Sequence, residues 1–251
     1  MNNITILSLN INSLSKAKLN EITKFDTDII LLQEIRVTTI NKIIELHFPG
    51  YDFFYSTENY SGLAIYIKSS LKGFTKPVTH REGRIMSFEF IGEGMKEPLY
   101  IFNVYHKRLS NNMSERLEYD QTLIDVMSQY KNKKVLLLGD LNSTFRLHDS
   151  ANNENLQEDL NRKPPDDWEL TKPFNPKMGC YEKHFMSLFL RKCCLKDNGY
   201  QKGYTVKKRD STDKMRIDYC LTNNFEISTY NVVNIGINNT ISDHKAIIVT
   251  F

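Results

Sequence analysis

Residues 134–142 read KVLLLGDLN: an apolar run that stops at Gly139 and carries a carboxylate and a carboxamide, Asp140 and Asn142, at its tip. A short Val/Leu run bounded in this way predicts a buried β-strand. The pattern recurs along the chain. ITILSLNIN delivers Asn10 and Asn12, DIILLQE delivers Glu34, YIFNVY delivers Asn103 and Tyr105, and MRIDY delivers Asp218. Near the end, ISDHKAII places Asp243 and His244 side by side where an apolar run begins. Ionisable groups are costly to bury without partners, so the partners of that pair are expected elsewhere in the chain. Any one of these residues taken alone is an ordinary turn or cap. Together, on strand ends that converge at one sheet edge, they form a set of oxygen donors with one imidazole.

Further apolar, β-rich runs (YDFFYS, GLAIYIKS, MSFEFI, ISTYNVVNI) are interrupted by helical patterns over residues 13–25, 39–48, 114–130 and 181–195. In the third of these Leu117, Ile124 and Met127 share a face, and Ser114 stands as an N-terminal cap. No repeat and no Pro/Gly/Ser linker divides the 251 residues, which predicts one domain spanning 1–251. The long exception is 143–179, rich in Asn, Asp and Pro and containing Trp168, the single tryptophan. Loops of such length are often functional; Trp168 there either stacks on a base or anchors the loop to the core.

Hydrophobic content of 40% with 25% charged residues describes an ordinary globular chain, and a formal charge of +3 permits a polyanionic partner without demonstrating one. Cys180, Cys193, Cys194 and Cys220 show neither CxxC nor zinc-finger spacing, which suits a reduced interior. No run approaches a membrane span and the N-terminus lacks signal-peptide character, so an intracellular, soluble chain is expected. Hard oxygen donors suit Mg²⁺ or Mn²⁺; zinc would want more His or Cys.

These motifs resemble, in the right order and over nearly the whole chain, the endonuclease/exonuclease/phosphatase superfamily that includes deoxyribonuclease I, exonuclease III, abasic-site endonucleases and LINE-type retrotransposon endonucleases. ITILSLNINSL looks like its first strand, DIILLQE its metal-binding glutamate strand, NVY its tyrosine, LLLGDLN its Asp-x-Asn, RIDY its second aspartate and SDH its terminal signature. Six separated motifs make the likeness specific. The nearest branch by ITILSLNINSL, and by the spacing from Asp140 through Asn142 to Asp149, is the LINE-type one. The chain departs from that branch after Tyr105, where His106, Lys107 and Arg108 stand in place of the usual Pro-Asn pair.

The resemblance implies an α+β, four-layer α/β/β/α sandwich and a Mg²⁺-dependent phosphodiesterase (with Mn²⁺ able to substitute) that nicks DNA. By the same token Glu34 holds the ion, with Asn10 and, through water, Asp243. Asp140 orients or deprotonates the attacking water, and Asn142 holds that water or a phosphate oxygen. His244 donates to a nonbridging oxygen while Asp218 fixes its tautomer and raises its pKa. Tyr105 contacts the phosphate or assists the leaving oxygen. Asn12, Lys107, Arg108 and Thr205 are candidates for substrate contact. The basic stretch VKKRDSTDKMR (Lys207, Lys208, Arg209, Lys214, Arg216) reads either as a backbone-tracking hairpin or as a solvated one. His47, His80, His106, His148 and His184 read as surface or packing residues.

DNA is thus the expected partner of a monomer, with fusion to a reverse transcriptase if the chain derives from a retroelement. Its compartment would be the nucleus for a eukaryotic repair or retroelement enzyme and the cytoplasm otherwise. Two readings compete: a small-molecule or lipid phosphatase on the same scaffold, and a non-catalytic nucleic-acid-binding module. The intact set Glu34, Asp140, Asn142, Asp218 and His244 argues against the second.

Overall fold

The computed structural model describes residues 3–37, 39–58, 61–108, 113–146, 149–151, 178–207, 214–236 and 241–251. Trp168, His148, Lys208, Arg209 and most of the 143–179 stretch lie outside them. The elements run β1 (Thr5–Asn10), α1 (Lys16–Ile22), β2 (Ile29–Gln33), α2 (Ile40–Glu45), β3 (Tyr51–Ser56), β4 (Leu63–Lys68), β5 (Val78–Arg81) and β6 (Ile85–Phe90). There follow β7 (Leu99–Tyr105), α3 (Met113–Ser128), β8 (Lys134–Asp140), β9 (Ser150–Ala151), α4 (Met178–Lys192) and β10 (Lys196–Asp197). Last come β11 (Val206–Lys207), β12 (Lys214–Met215), β13 (Asp218–Asn223), β14 (Thr229–Val233) and β15 (Ala246–Thr250). The helix expected at 114 starts at Met113, so Ser114 belongs to its first turn rather than to its cap. Ser15 does cap α1, its hydroxyl accepting from the Lys18 N–H.

Two six-stranded sheets, β14-β15-β1-β2-β4-β3 and β10-β13-β8-β7-β6-β5, repeat one plan: a central parallel pair (β1 with β2, β7 with β8) flanked by antiparallel strands. The central strands are buried on both faces, and this is why IILLQ and VLLLG read as unbroken apolar runs. One face of each sheet meets the other sheet through Ile6, Leu31, Ile65, Phe88, Ile101, Leu138 and Ile247. The opposite face of the first sheet packs Leu7, Leu9, Ile30 and Leu32 against Leu19 and Ile22 of α1. That of the second packs Phe102, Val104 and Leu137 against Ile124 and Met127 of α3 and Phe185 and Phe189 of α4. The result is a four-layer α/β/β/α sandwich with three apolar interfaces.

Gly139 explains one letter of the opening motif. It pairs across β7 at Val104 with a φ of +146°, and a Cβ there would stand 1.9 Å from the Val104 carbonyl oxygen. Only glycine lets β8 approach β7 this closely just before Asp140. Gly139→Ala should therefore cost about 3 kcal/mol of stability, from backbone strain plus overpacking. Urea denaturation would read this as a lower midpoint at unchanged slope, and an unshifted midpoint would contradict it.

Candidate active site

On the faces that meet between the sheets, every second residue of the parallel strands changes from apolar to polar toward the C-terminal end: Ile6, Ser8, Asn10 on β1; Leu31 then Gln33 on β2; Ile101, Asn103, Tyr105 on β7; Leu138 then Asp140 on β8. The first polar layer is buried and bonded throughout except at Gln33 Oε1, which has no partner. Gln33 Nε2 donates to Ser8 Oγ (3.1 Å) and Asn103 Oδ1 (2.7 Å), and Asn103 Nδ2 donates to the Leu32 and Ala64 carbonyls, both at 3.1 Å. This layer ties the two sheets together directly beneath the second. Asn103, expected at a strand tip, is fully buried in it.

The second layer is the site. Asn10 Nδ2 donates to Glu34 Oε2 (2.9 Å) and to Asp140 Oδ2 (2.8 Å), so one amide spans both sheets. Asp140 Oδ1 also accepts from the Asn142 N–H (2.7 Å), and its Oδ2 from Asn142 Nδ2 (3.2 Å). His244 Nδ1 lies 2.9 Å and 3.1 Å from the two oxygens of Asp218, which pairs with Asp140 across β13 and β8. Asn12 joins from the rim: its N–H donates to Asn10 Oδ1 (3.0 Å) and its Nδ2 to Asp243 Oδ1 (3.1 Å). Ser242, the first residue of the SDH signature and one assigned no role there, donates to the Asn10 carbonyl (2.6 Å) and accepts from the His244 N–H (3.0 Å), locking the last segment onto β1.

Backbone strain gathers at this edge. Asn12, Ser13, Glu34, Arg36 and Asn142 all have positive φ, between 46° and 74°. Asparagine tolerates this region, but at Glu34 it costs about 1 kcal/mol or more. The left-handed turn swings the Glu34 carboxylate off the end of β2 toward Asn10, where Arg36 also pairs with it.

Charge is concentrated and only partly balanced. Burial, then the neighbouring Asp218, holds the Asp140 carboxyl above the usual carboxylate range, against the pull of His244 and Asn10. Burial disfavours the charged form of His244, but Asp218 at hydrogen-bond distance, with Asp140 and Asp243, outweighs it and raises the imidazole to about 9. Burial and the Glu34 and Asp140 charges push the Tyr105 phenol upward.

Four carboxylates (Glu34, Asp140, Asp218, Asp243) stand against His244 and Arg36. Such an anionic excess among oxygen donors fits a hard divalent cation. Ligand atoms of Asp140, Asp218 and His244 lie within 4.8 Å of one another, and among the described residues this is the one such grouping of His, Cys, Asp or Glu; Glu34 stands outside it.

Other candidates sit differently. Thr205 is fully buried; its hydroxyl accepts from the N–H groups of Ile217 and Asp218, both at 3.2 Å, so it props up Asp218 from below rather than facing a substrate backbone. Arg216 is no member of a surface patch: it is 2% exposed and bonded to Asp149 (2.7 Å) and Asp197 (2.8 Å). The reason is local: Arg216 stands just past β12, where its N–H donates to the Asp149 carbonyl (2.8 Å) and the chain has left the strand on which Lys214 faces outward. Asp149 is thereby committed to structure. Arg108 is exposed, and Lys107 pairs with Glu115.

His106, expected at the surface or in plain packing, is buried with its Nε2 3.1 Å from Asp120 Oδ1. Cys193 and Cys220 are buried free thiols and Cys194 an exposed one.

Beside Glu34 opens a cleft of about 390 Å³ lined by Arg36, Glu58, Arg84, Tyr105, Lys107 and Tyr119 among others. Arg84 lies over the rings of Tyr105 (4.7 Å) and Tyr119 (5.4 Å), and Lys107 over Tyr119 (5.4 Å). No helix among the described residues is long and apolar enough to cross a membrane.

A sandwich whose parallel strands lead into Asn10, Glu34 and Asp140, with an Asp–His pair at the starts of the antiparallel strands beside them, defines a class, and the family model confirms it: the endonuclease/exonuclease/phosphatase family matches residues 7–244, and the chain belongs to that family of hydrolytic nucleases and phosphatases. Among solved structures it is similar to the AP endonuclease LMAP from Leishmania major (14% identity, TM-score 0.77), covering 99% of this chain and 87% of that one. It is also similar to the 3′-5′ exonuclease NExo from Neisseria meningitidis (19%, TM-score 0.73, 99% of both chains). The catalytic domain of Xenopus laevis APE2 is a third (20%, TM-score 0.70, 98% of this chain and 91% of that one). No curated protein matches the sequence.

Proposed function

We propose that this chain is a divalent-metal-dependent phosphodiesterase that hydrolyses DNA phosphodiester bonds. The carrying observation is the buried constellation in which Asn10 joins Glu34 to Asp140 while the Asp218–His244 pair faces Asp140. Asp140 is the base that orients and deprotonates the attacking water. Asn142 sharpens this step: both its amide hydrogens point at acceptors, the His106 carbonyl (2.9 Å) and Asp140 Oδ2, so what it turns outward is Oδ1. An acceptor suits a water molecule, not a phosphate oxygen. Of the two roles open to Asn142, holding the water is the one this orientation supports.

With Nδ1 held by Asp218, His244 offers Nε2–H to a nonbridging phosphate oxygen, where negative charge grows during attack. Tyr105, at the mouth of the cleft, stands where the leaving oxygen departs, and Arg84, Lys107 and Tyr119 line the path for the adjoining nucleotide. Glu34 would hold the cation, Mg²⁺ or in its place Mn²⁺, with Asp243 through water; Asn10 would join them with its amide turned over, since its NH₂ faces Glu34 and Asp140 here. A bound dication offsets the charge that builds on the phosphate.

The structural relatives are described as an AP endonuclease, as APE2 and as a 3′ phosphatase bound to a product DNA hairpin, which favours a repair-type DNA substrate over a retroelement target. The test is one panel, with Mg²⁺ or with EDTA: an abasic duplex, a 3′-phosphate primer, supercoiled plasmid and phosphoinositides. DNA should be cut only with metal, with the abasic or 3′-blocked substrate preferred over plasmid. Turnover of phosphoinositides alone would overturn the assignment to DNA, and cutting in EDTA would overturn the metal dependence.

A further inference from the structure

We propose that His106 is a positioning residue: anchored to Asp120 of α3, it fixes the main-chain carbonyl that orients the Asn142 side chain over Asp140. The inference rests on the reading that Asn142 acts on the attacking water.

Asn142 sits just beyond the end of β8 in a left-handed conformation (φ 46°), so its side-chain direction depends on the loop opposite, not on strand pairing. That loop is the turn after β7. The His106 N–H donates to the Asp140 carbonyl (2.7 Å) and the His106 carbonyl accepts from Asn142 Nδ2 (2.9 Å), so one residue's backbone grips both ends of the Asp-x-Asn motif. The two acceptors also settle which way the amide faces, since only its NH₂ end can serve both.

What holds His106 is charged and buried. Its ring stacks on Phe185 of α4 at 5.2 Å, Nδ1 lies 3.3 Å from the Lys107 carbonyl oxygen, and Nε2 lies 3.1 Å from Asp120 Oδ1, a close charge contact that is out of line for a hydrogen bond. Arg116, like Asp120 fully buried, donates from Nε to the same Asp120 oxygen (2.9 Å) and from a terminal nitrogen to Ser143 Oγ (2.7 Å); the other terminal nitrogen donates to the Lys107 carbonyl. Tyr181 of α4 donates to the second Asp120 oxygen. One helix turn of α3 thereby clamps residues 106–107 and residue 143, the neighbours of the two groups that must meet.

An apolar residue at 106 would stack on Phe185 equally well without a buried carboxylate beside it. A buried ion pair contributes little net stability against apolar packing, so stability alone does not account for Arg116 and Asp120 here. Fixing geometry does: a misplacement of about 1 Å near the reacting atoms costs up to about 100-fold in rate.

The test compares His106→Leu, His106→Gln, Asn142→Ala and the double variant His106→Leu/Asn142→Ala in the full chain, with the preferred DNA substrate and Mg²⁺. His106→Leu should lower kcat by about 10- to 30-fold with KM held within about twofold. In the Asn142→Ala background the same change should cost no more than about twofold, because its effect passes through Asn142. His106→Gln, which keeps a side-chain N–H in reach of Asp120, should recover most of the loss. Equal cost in both backgrounds would overturn the proposal.

A second readout needs neither catalysis nor a folded Leu variant. The Asn142 side-chain amide protons in the unaltered protein should exchange slowly, and those in His106→Gln at nearly the same rate. Exchange in the unaltered protein as fast as that of exposed asparagines refutes the positioning. Absence of hydrolysis on every substrate, with slow amide exchange retained, would instead refute the phosphodiesterase reading.

Discussion

Asp140→Asn should lower kcat for DNA cleavage by about three orders of magnitude, the upper part of the range for losing a general base. Two separate losses combine. The amide cannot take a proton from water, and it cannot serve as acceptor for all the donors that now converge on the carboxylate. The Asn142 N–H uses one oxygen while Asn10 Nδ2 and Asn142 Nδ2 share the other. An asparagine there sets its NH₂ either against the Asn142 N–H or against the two NH₂ groups, so in each orientation a donor at Asn142 or Asn10 loses its acceptor.

The fold should survive. Burial beside Asp218 makes the Asp140 charge unfavourable, as its upward shift records, and removing that charge relieves the repulsion. A melting temperature unchanged or raised, with cleavage nearly abolished, is the expected pair of results. Cleavage within tenfold of the unaltered protein would remove Asp140 from the chemistry.

His244→Ala is the second large effect and should differ in kind. Loss of one preorganised donor to developing phosphate charge lowers kcat by about 100- to 1,000-fold. Here stability falls as well, because Asp218 loses its partner while buried and pressed against Asp140. Breaking a buried pair in this way costs about 3–5 kcal/mol. Cleavage rate and thermal melting should therefore move together in His244→Ala and apart in Asp140→Asn. A His244→Ala protein that melts normally would mean that Asp218 finds another partner, and one that cleaves normally would exclude His244 from substrate.

Most of the site was legible because strand periodicity is a local signal. Apolar runs ending in Asn10, Glu34 and Asp140 stand out without knowing what lies opposite; Asp218, expected at the end of MRIDY, instead opens β13. The buried layer beneath was almost as periodic, with Ser8 and Asn103 one strand repeat before Asn10 and Tyr105 and Gln33 directly before Glu34, yet a single buried Gln or Ser carries no signature until its partner is known. Gln33 and Asn103 are 70 residues apart and Ser242 and Asn10 232 apart. Arg216 misled for the complementary reason: composition placed it in a basic run, while just past the end of β12 it turns inward onto Asp149 and Asp197, partners far away along the chain. His106 looked unremarkable because its partner Asp120 lies on a helix whose inward face reads as ordinary core.

The sequence by itself determined the strands and the polar residues at their ends, since apolar runs and the groups that bound them are written residue by residue, and the resemblance of six such motifs to one family implied the sandwich. Tertiary structure alone decided which of those groups share protons and charge. Asn10 meets Asp140 across 130 residues because two parallel strand pairs from different sheets end at the same level. Hydrogen bonds and charge interactions act over a few ångströms of space whatever the separation along the chain. Their pattern therefore exists only once the sheets are stacked.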